Sequence, residues 1–524
     1  MPLKLFVCLM LLAPVVISGG RGSAFSSCSY SSLWGRAGEK WMATGRLPDF
    51  SYAGYHAGEK TIPNARAKWD LKRDFHAKAD GVTDDSDALL NAIKSIKSGV
   101  LFIPAGTYVI AKRIDVFHGN LVIRGAGPNK TILLFPNSLT DLFGNKATGN
   151  ETSQWAFRPG LFNITATDSI DTTTRLATVT EPAKRGDRVL RISNSISVKQ
   201  GEWIRLTESD PPKFTPSSGS LIHHLYGDLM PPGSDLLGTK NVVRFLSRVK
   251  SASADRIELE RPLPYDVRPE WKPEIHRFMP SIQEFGLERL SIHFPWSPYP
   301  GHFREKGYNA VFLQDVANSW ISDVEIQNAD FGVDLNATNF CTVRNVVLTT
   351  SKSRAESPTV RVTNGHHGID IGHGTENLVT NFDVRTRFVH DISVEWYALH
   401  TVFANGRGVD LNMDHHREAN YSTLFSNLDC GAGTRPFDSG GSGNRGAHSG
   451  AYSTFWNVRA SRILKPPPKD FGPLLNFIGS QLEAMNQPSP YDWFVEQGQF
   501  CPSELQEAMR GARLRHVKTQ TALE

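Results

Sequence analysis

The sequence predicts an all-β chain built as a parallel β-helix, a single-stranded solenoid with a capping helix near its N terminus and a small β insertion. Short β-branched runs separated by turn residues recur from about residue 100 onward. In the later half they form irregular repeats of roughly twenty residues per turn, as expected of coils that must stack to bury their inward faces. The clearest copies are Phe331-Gly332-Val333-Asp334-Leu335, His367-Gly368-Ile369-Asp370-Ile371 and Arg407-Gly408-Val409-Asp410-Leu411, whose glycines lie 36 and 40 residues apart.

Taken in order, Lys4 followed by the apolar run Leu5 to Ile17 and Ser18-Gly19-Gly20 predicts a secretory signal peptide over residues 1–24. Residues 25–66 show no clear period and are expected to be a loosely structured leader wrapping the main body. Thr83 or Asp84 is placed to cap a helix whose apolar face is Ala88, Leu89, Ala92, Ile93 and Ile96, with Gly99 as its left-handed stop. Val100-Leu101-Phe102-Ile103 then reads as a buried strand, turned by Pro104-Ala105-Gly106 into Thr107-Tyr108-Val109-Ile110.

The run from Arg73-Asp74-Phe75-His76-Ala77-Lys78-Ala79-Asp80-Gly81 to Val82-Thr83-Asp84-Asp85 resembles the opening motif of the pectate-lyase-like superfamily of right-handed parallel β-helices. That motif reads D-F-G-A-x-G-D-G-x-T-D-D, then a helix, then P-x-G-x-Y; His76 and Ala79 stand where it has glycine. The resemblance implies a β-helix domain over 67–480 and an extracellular carbohydrate-active enzyme whose partner is a polysaccharide. Residues 180–266 alternate like antiparallel strands around a Pro/Gly/Ser-rich loop and are expected to form the insertion, either overhanging a groove or decorating the body. The tail, 481–524, carries an amphipathic stretch around Glu504 to Arg510 suited to covering the last open coil.

A net charge of +4 on 524 residues marks no nucleic-acid binder, and beyond the signal peptide no stretch is apolar enough to span a membrane, so a secreted, soluble protein is expected. The resemblance implies a monomer, since the β-helices of phage type that trimerise usually lack a signal peptide. Once Cys8 leaves with the signal peptide, Cys28, Cys341, Cys430 and Cys501 allow three pairings. Cys28 with Cys501 would tie the chain ends together. Sequons begin at Asn129, Asn150, Asn163, Asn336 and Asn420, so a glycoprotein is expected if the host glycosylates.

The chemistry is expected where the Gly-x-Asp copies meet the histidines. Stacked rungs place equivalent residues in columns, so Asp334, Asp370 and Asp410 are expected to share one, separated by one or two rungs each. Asp410-Leu411-Asn412-Met413-Asp414-His415-His416-Arg417 is the densest cluster, and Asn364 to His373 occupies the equivalent place about two rungs earlier. The candidate catalytic residues are His367, Asp370, Asp410, Asp414, His415, His416 and Arg417. Histidine suits proton abstraction near neutral pH, and arginine suits bidentate capture of a carboxylate. Arg435, Arg445 and His448 in a Gly-rich loop, with Trp296, Tyr299 and His302 as an aromatic platform, are the candidate substrate-binding residues. The histidines lack H-E-x-x-H spacing, so no catalytic metal is assigned; calcium held by the aspartates is the one cofactor left open.

Three classes of function are consistent with the resemblance. β-Elimination on a uronate-containing glycan would use His415 or His416 as base and Arg417 as carboxylate clamp, with His367, Asp370, Asp410 and Asp414 as acid or orienting groups. An inverting hydrolase would use paired aspartates such as Asp370 and Asp410; Gly372-His373-Gly374 matches one polygalacturonase motif, while Asn-Thr-Asp and Arg-Ile-Lys are missing. A glycan-binding or adhesion β-helix would do neither.

Overall fold

One column of inward-facing side chains runs through the molecule. Leu101, Ile123, Leu287, Ile321, Val343, Val379, Phe403, Phe425, Phe455 and Phe477 pair in register on successive parallel strands, and all are buried. The early rungs are aliphatic and the late ones aromatic. The four phenylalanine rings stack 5.3, 5.2 and 4.9 Å apart with planes 5–7° from parallel. Their separation follows the rung spacing of about 4.8 Å, so the backbone repeat itself presents the rings for offset stacking, a gain of roughly 0.5–1.5 kcal/mol per pair. This is the right-handed parallel β-helix expected from the sequence.

The computed structural model describes residues 28–147, 152–166, 174–193, 197–210, 219–226, 243–355, 362–483 and 491–521. The expected signal peptide and the sequon at Asn150 lie outside the described residues. Among the described residues, no helix is long and apolar enough to cross a membrane.

Helix α1, Ser86–Ser95, closes the start of the core with Leu89, Ala92 and Ile93, while Ala88 packs at its margin. Its start differs from the expected capping. Asp85 is the N-cap, but its carboxylate accepts from the N–H groups of Lys78 at 2.7 Å and Ala79 at 2.9 Å, and Asp84 accepts from the N–H of Ser86 at 2.9 Å. His76 and Ala79, the two departures from the opening motif, have φ of 62° and 56°, the left-handed region where the motif's glycines sit without strain.

The longest helix is C-terminal, Leu505–Thr521, and it lies along the flank of the solenoid rather than over its last coil. Leu505 N–H donates to Ser426 Oγ at 2.9 Å, and Arg510 and Arg513 donate to the carbonyls of Gly58 at 3.1 Å and Ala57 at 2.6 Å. Those carbonyls belong to the leader, which is an ordered strap and not a loose segment. It bonds Glu496 through Ser32, Asn476 through Arg46, Glu376 through Gly54, Thr342 through Tyr55 and Arg124 through Ala65. It therefore crosses the coils from last to first, and the Cys28–Cys501 disulfide pins its start. Cys341 and Cys430 are free and buried.

The insertion is a six-stranded antiparallel sheet whose strands run from Arg175 to Arg277, wider than the 180–266 read from the sequence. It leaves the solenoid early and docks on later coils. Its core includes Tyr397, Leu399, Tyr421 and Ala447, and the Tyr226 hydroxyl donates to the carbonyl of Arg445 at 3.1 Å. The insertion thus braces the 434–447 loop.

Glycosylation cannot follow the sequon pattern in this fold. Asn163, Asn336 and Asn420 are 7%, 8% and 0% exposed, whereas Asn129 stands on the surface.

The face that matters for chemistry is a seven-stranded parallel sheet: β1 Ile114–Val116, β2 Phe162–Thr165, β3 Asn309–Gln314, β4 Phe331–Asn336, β5 His367–Gly372, β6 His390–Glu395 and β7 Met413–His415, stacked in that order.

Candidate active site

Register on this sheet decides which side chains meet. Asp334 pairs with Asp370, Asp370 with Ser393 and Ser393 with Asp414, so the acidic column is 334–370–393–414. A flanking column carries Phe331, His367 and His390, and Glu395 stands across from Gly372. Asp410 is not in the column. The third sequence copy, Arg407-Gly408, pairs with Asp383-Val384 on a different sheet of the coil, although its pattern copies the other two.

Above β4–β7 lies a cleft of about 1240 Å³. Phe157, Arg158, His302 and Phe303 form one wall, the 434–445 loop forms the other, and Asp334, Asp370, His367, His390, Glu395 and His416 form the floor. Arg158 reaches down to the carboxylates, with Nε 2.9 Å from Asp334 and Nη2 3.7 Å from Glu395. Gly372 lies beside this contact, and a Cβ there would sit about 3.4 Å from both Arg158 Nη2 and Glu395 Oε1, at ordinary contact distance. Gly440 on the opposite wall is tighter, for a Cβ there would lie 2.5 Å from the His416 ring and 2.6 Å from that of His390.

Three carboxyl groups therefore share one buried place with one guanidinium. Burial, then the neighbouring Glu395 and Asp334 charges, push Asp370 well above the ordinary carboxylate range, against the pull of Arg158. Burial also raises Glu395, but the His416 and Arg158 charges favour its anion. Burial raises Asp334, opposed by the Arg158 pair. All three are raised, Asp370 well above its ordinary range, so Asp370 is the acid placed to keep its proton.

Asp414 lies beneath the floor. Burial alone would raise it, yet the His390 and His416 rings, 3.1 and 2.8 Å away, hold it well below its usual range, and it accepts from Gly440 N–H at 2.8 Å. The same carboxylate keeps His416 above its ordinary value despite burial. His367, buried beside other histidines, is pushed well below.

Of the sequence candidates, the cleft gathers His367, Asp370, His416, His302, Arg435 and Arg445, with Asp414 directly underneath. The others are placed elsewhere. Asp410 accepts from Thr434 N–H at 2.7 Å and pairs with Arg387, behind the wall. His415 alternates inward from His416, packs on Phe425, Phe455 and Phe471, and is pushed by burial down to about 4. Arg417 is spent on the carbonyls of Gly441 and Gly446 and on His448, which itself stacks on Phe471. Tyr299 is buried with its hydroxyl 2.7 Å from Glu305. Trp296 lies on the surface under Lys352. Trp396, between His373 and Arg445, lines the cleft together with Phe157, Phe303 and Phe331.

Arg158 and Glu395 were not singled out from the sequence. Glu395 had a usable signal: His390 follows His367 by 23 residues, close to one coil, whereas Arg407 follows by 40. Arg158 had none, since it reaches the floor from a loop without periodicity.

Residues 72–200 match the family described as rhamnogalacturonase A/epimerase, pectate lyase-like. Over those residues the chain is similar to this pectate-lyase-like family, and its fold is a parallel β-helix. No curated protein matches it. Among solved structures it is similar to the tailspike gp49 of Pseudomonas phage LKA1, with 13% identity, a TM-score of 0.48, and coverage of 79% of this chain and 63% of that one. It is also similar to the gp54 tailspike of Acinetobacter baumannii bacteriophage AP22, with 12% identity, a TM-score of 0.45, and coverage of 78% and 60%. Similarity to an iota-carrageenase stands at 12% identity, a TM-score of 0.34, and coverage of 72% and 58%. The chain spans about three fifths of the length of these proteins.

Proposed function

We propose that this β-helix hydrolyses glycosidic bonds of an acidic, uronate-bearing polysaccharide outside the cell, with Asp370 as general acid and Glu395 as general base. The observation that carries this reading is the crowding of Asp370 between Asp334 and Glu395 around the single guanidinium of Arg158. A carboxyl kept protonated beside a second carboxyl group whose anion is favoured by the His416 and Arg158 charges is the pairing glycosidic cleavage uses. Asp370 gives its proton to the leaving oxygen while Glu395 takes one from the attacking water, and an oxocarbenium-like transition state lies between them.

Glu395 is one rung and two residues from Asp370, a diagonal separation of roughly 7–8 Å. That falls in the range of about 6.5–9.5 Å that leaves room for water and gives inversion. Arg387, Arg435 and Arg445 on the loop side favour a substrate bearing carboxylates. The matched family's name, with its rhamnogalacturonase, also points to glycans.

Against β-elimination stand the burial of His415 in the core and the commitment of Arg417 to the loop, although His416, the other candidate base, does line the cleft. The test is incubation of the secreted chain with a panel of uronate-bearing and neutral polysaccharides, followed by reducing-end and ultraviolet assays. Reducing ends without new absorbance are expected. New unsaturated products would replace hydrolysis by elimination, and neither signal on any substrate would leave a binding protein.

A further inference from the structure

We propose that His302, His366 and His390 bind one divalent transition-metal ion of the zinc type at the Phe303 end of the cleft. One donor nitrogen from each lies within 4.8 Å of the other two. The ring centroids are 4.5 Å apart for His302 and His366, and 5.7 Å apart for His366 and His390.

The decisive atom is Nε2 of His366. This side chain is fully buried, and its Nδ1 donates to the carbonyl of Ala156 at 2.8 Å, with a Glu305 carboxylate oxygen 3.4 Å from the same nitrogen. The proton therefore sits on Nδ1, and Nε2 presents a lone pair that has no partner among the described residues. His390, 5% exposed, has its Nδ1 3.1 Å from an Asp414 oxygen, and neither of its ring nitrogens makes a hydrogen bond among the described residues. Two buried rings with centroids 5.7 Å apart, each with an unpartnered nitrogen among the described residues, are satisfied together by a cation.

Backbone carbonyls and carboxylates behind the distal nitrogens are the outer support that fixes imidazole ligands in metal sites. Glu305 is itself held by the Tyr299 hydroxyl at 2.7 Å and the Phe303 N–H at 3.1 Å. Buried Tyr299 thereby acquires a role as part of this support. His302 stands exposed at the mouth, which supplies an entry route and leaves an open position toward the cleft. Three imidazoles select zinc-like ions over calcium, which needs six to eight oxygens. In the overlapping trio His390, Asp414 and His416, the carboxylate is already occupied, since Asp414 accepts from His416 and Gly440. The inference does not rest on the hydrolytic reading, because binding is read without substrate.

The experiment strips the full chain with a chelator and titrates it with zinc by calorimetry and with cobalt by visible absorption. One ion per chain and ligand-field bands of a low-coordinate cobalt site are expected. His302→Ala and His366→Ala should each weaken binding by at least about 10-fold, and His416→Ala should leave it within a few-fold. Because His302 is exposed, its variant remains informative if His366→Ala does not fold. Absence of stoichiometric binding, binding indifferent to His302→Ala, or loss of binding in His416→Ala would overturn the assignment.

Discussion

Asp370 sits directly beside Asp334 on the adjacent rung, and the Arg158 guanidinium bonds Asp334 at 2.9 Å. The second acid is therefore left to hold its proton. The folded chain keeps that proton to higher pH than the unfolded chain does. The contribution of Asp370 to stability is intact below the ordinary carboxylate range and is lost as pH rises through its folded value.

Asp370→Asn should show activity and stability moving in opposite directions. Removal of the general acid is expected to cost about 10²–10⁴-fold in kcat. The same change should raise stability at neutral pH by roughly 0.5–2 kcal/mol, a gain that disappears in acid. Thermal melts at neutral and acidic pH, run beside reducing-end assays, check both; equal losses of activity and stability would contradict the assignment.

His415→Phe tests the opposite case, a histidine placed in the core. Its folded value of about 4 lies below that of the unfolded imidazole, so it subtracts stability as pH falls from about 6.5 toward 4, a cost of about 3 kcal/mol. The phenylalanine variant should lose less stability between pH 7 and pH 4 than the parent by about that amount. Glycan cleavage should be unchanged within a few-fold, which denaturant titrations and activity assays on the same samples would show.

Arg354→Ala should be among the most damaging single changes. Arg354 and Asp330 are both fully buried and pair at 2.7 Å, and Arg354 also donates to the carbonyls of Ser297, Ala329 and Asn364. Removal of one partner strands a buried charge at a cost of about 3–5 kcal/mol. A drop of that size in unfolding free energy is expected. A loss below about 1 kcal/mol would show that water enters and resolvates Asp330.

Ala79→Gly should stabilise the chain. A left-handed alanine costs about 1–2 kcal/mol and the added freedom of glycine about 0.5–1, so a net gain of up to about 1 kcal/mol is expected in chemical denaturation. Activity should not change, since Ala79 packs against the first coils far from the cleft.

The solenoid was legible because its signals are local: coil length, the apolar face of α1, and turn residues each lie within a few neighbours. The site was legible only in part, and Asp410 shows why. A parallel coil has more than one sheet, and the alternation that exposes one side chain in two is the same on each. Arg407 to Leu411 therefore looks like a third copy while belonging to a different face. His415 and His416 were both plausible until register placed one in the core and the other in the cleft. Arg158 and the Glu305–His366 contact depend on chain segments 60 or more residues apart, which no local pattern encodes.

The strap from Cys28 to Ala65 has a thermodynamic consequence. An ordinary stack of coils frays from its ends, because each terminal member touches only one neighbour. Here the leader touches the last coils and the first, and the disulfide joins it to the far end of the chain. Loss of an outer coil must then disturb the strap across the whole flank. The stack should consequently melt as a single closed unit, and reduction of Cys28–Cys501 should convert that one transition into progressive unravelling.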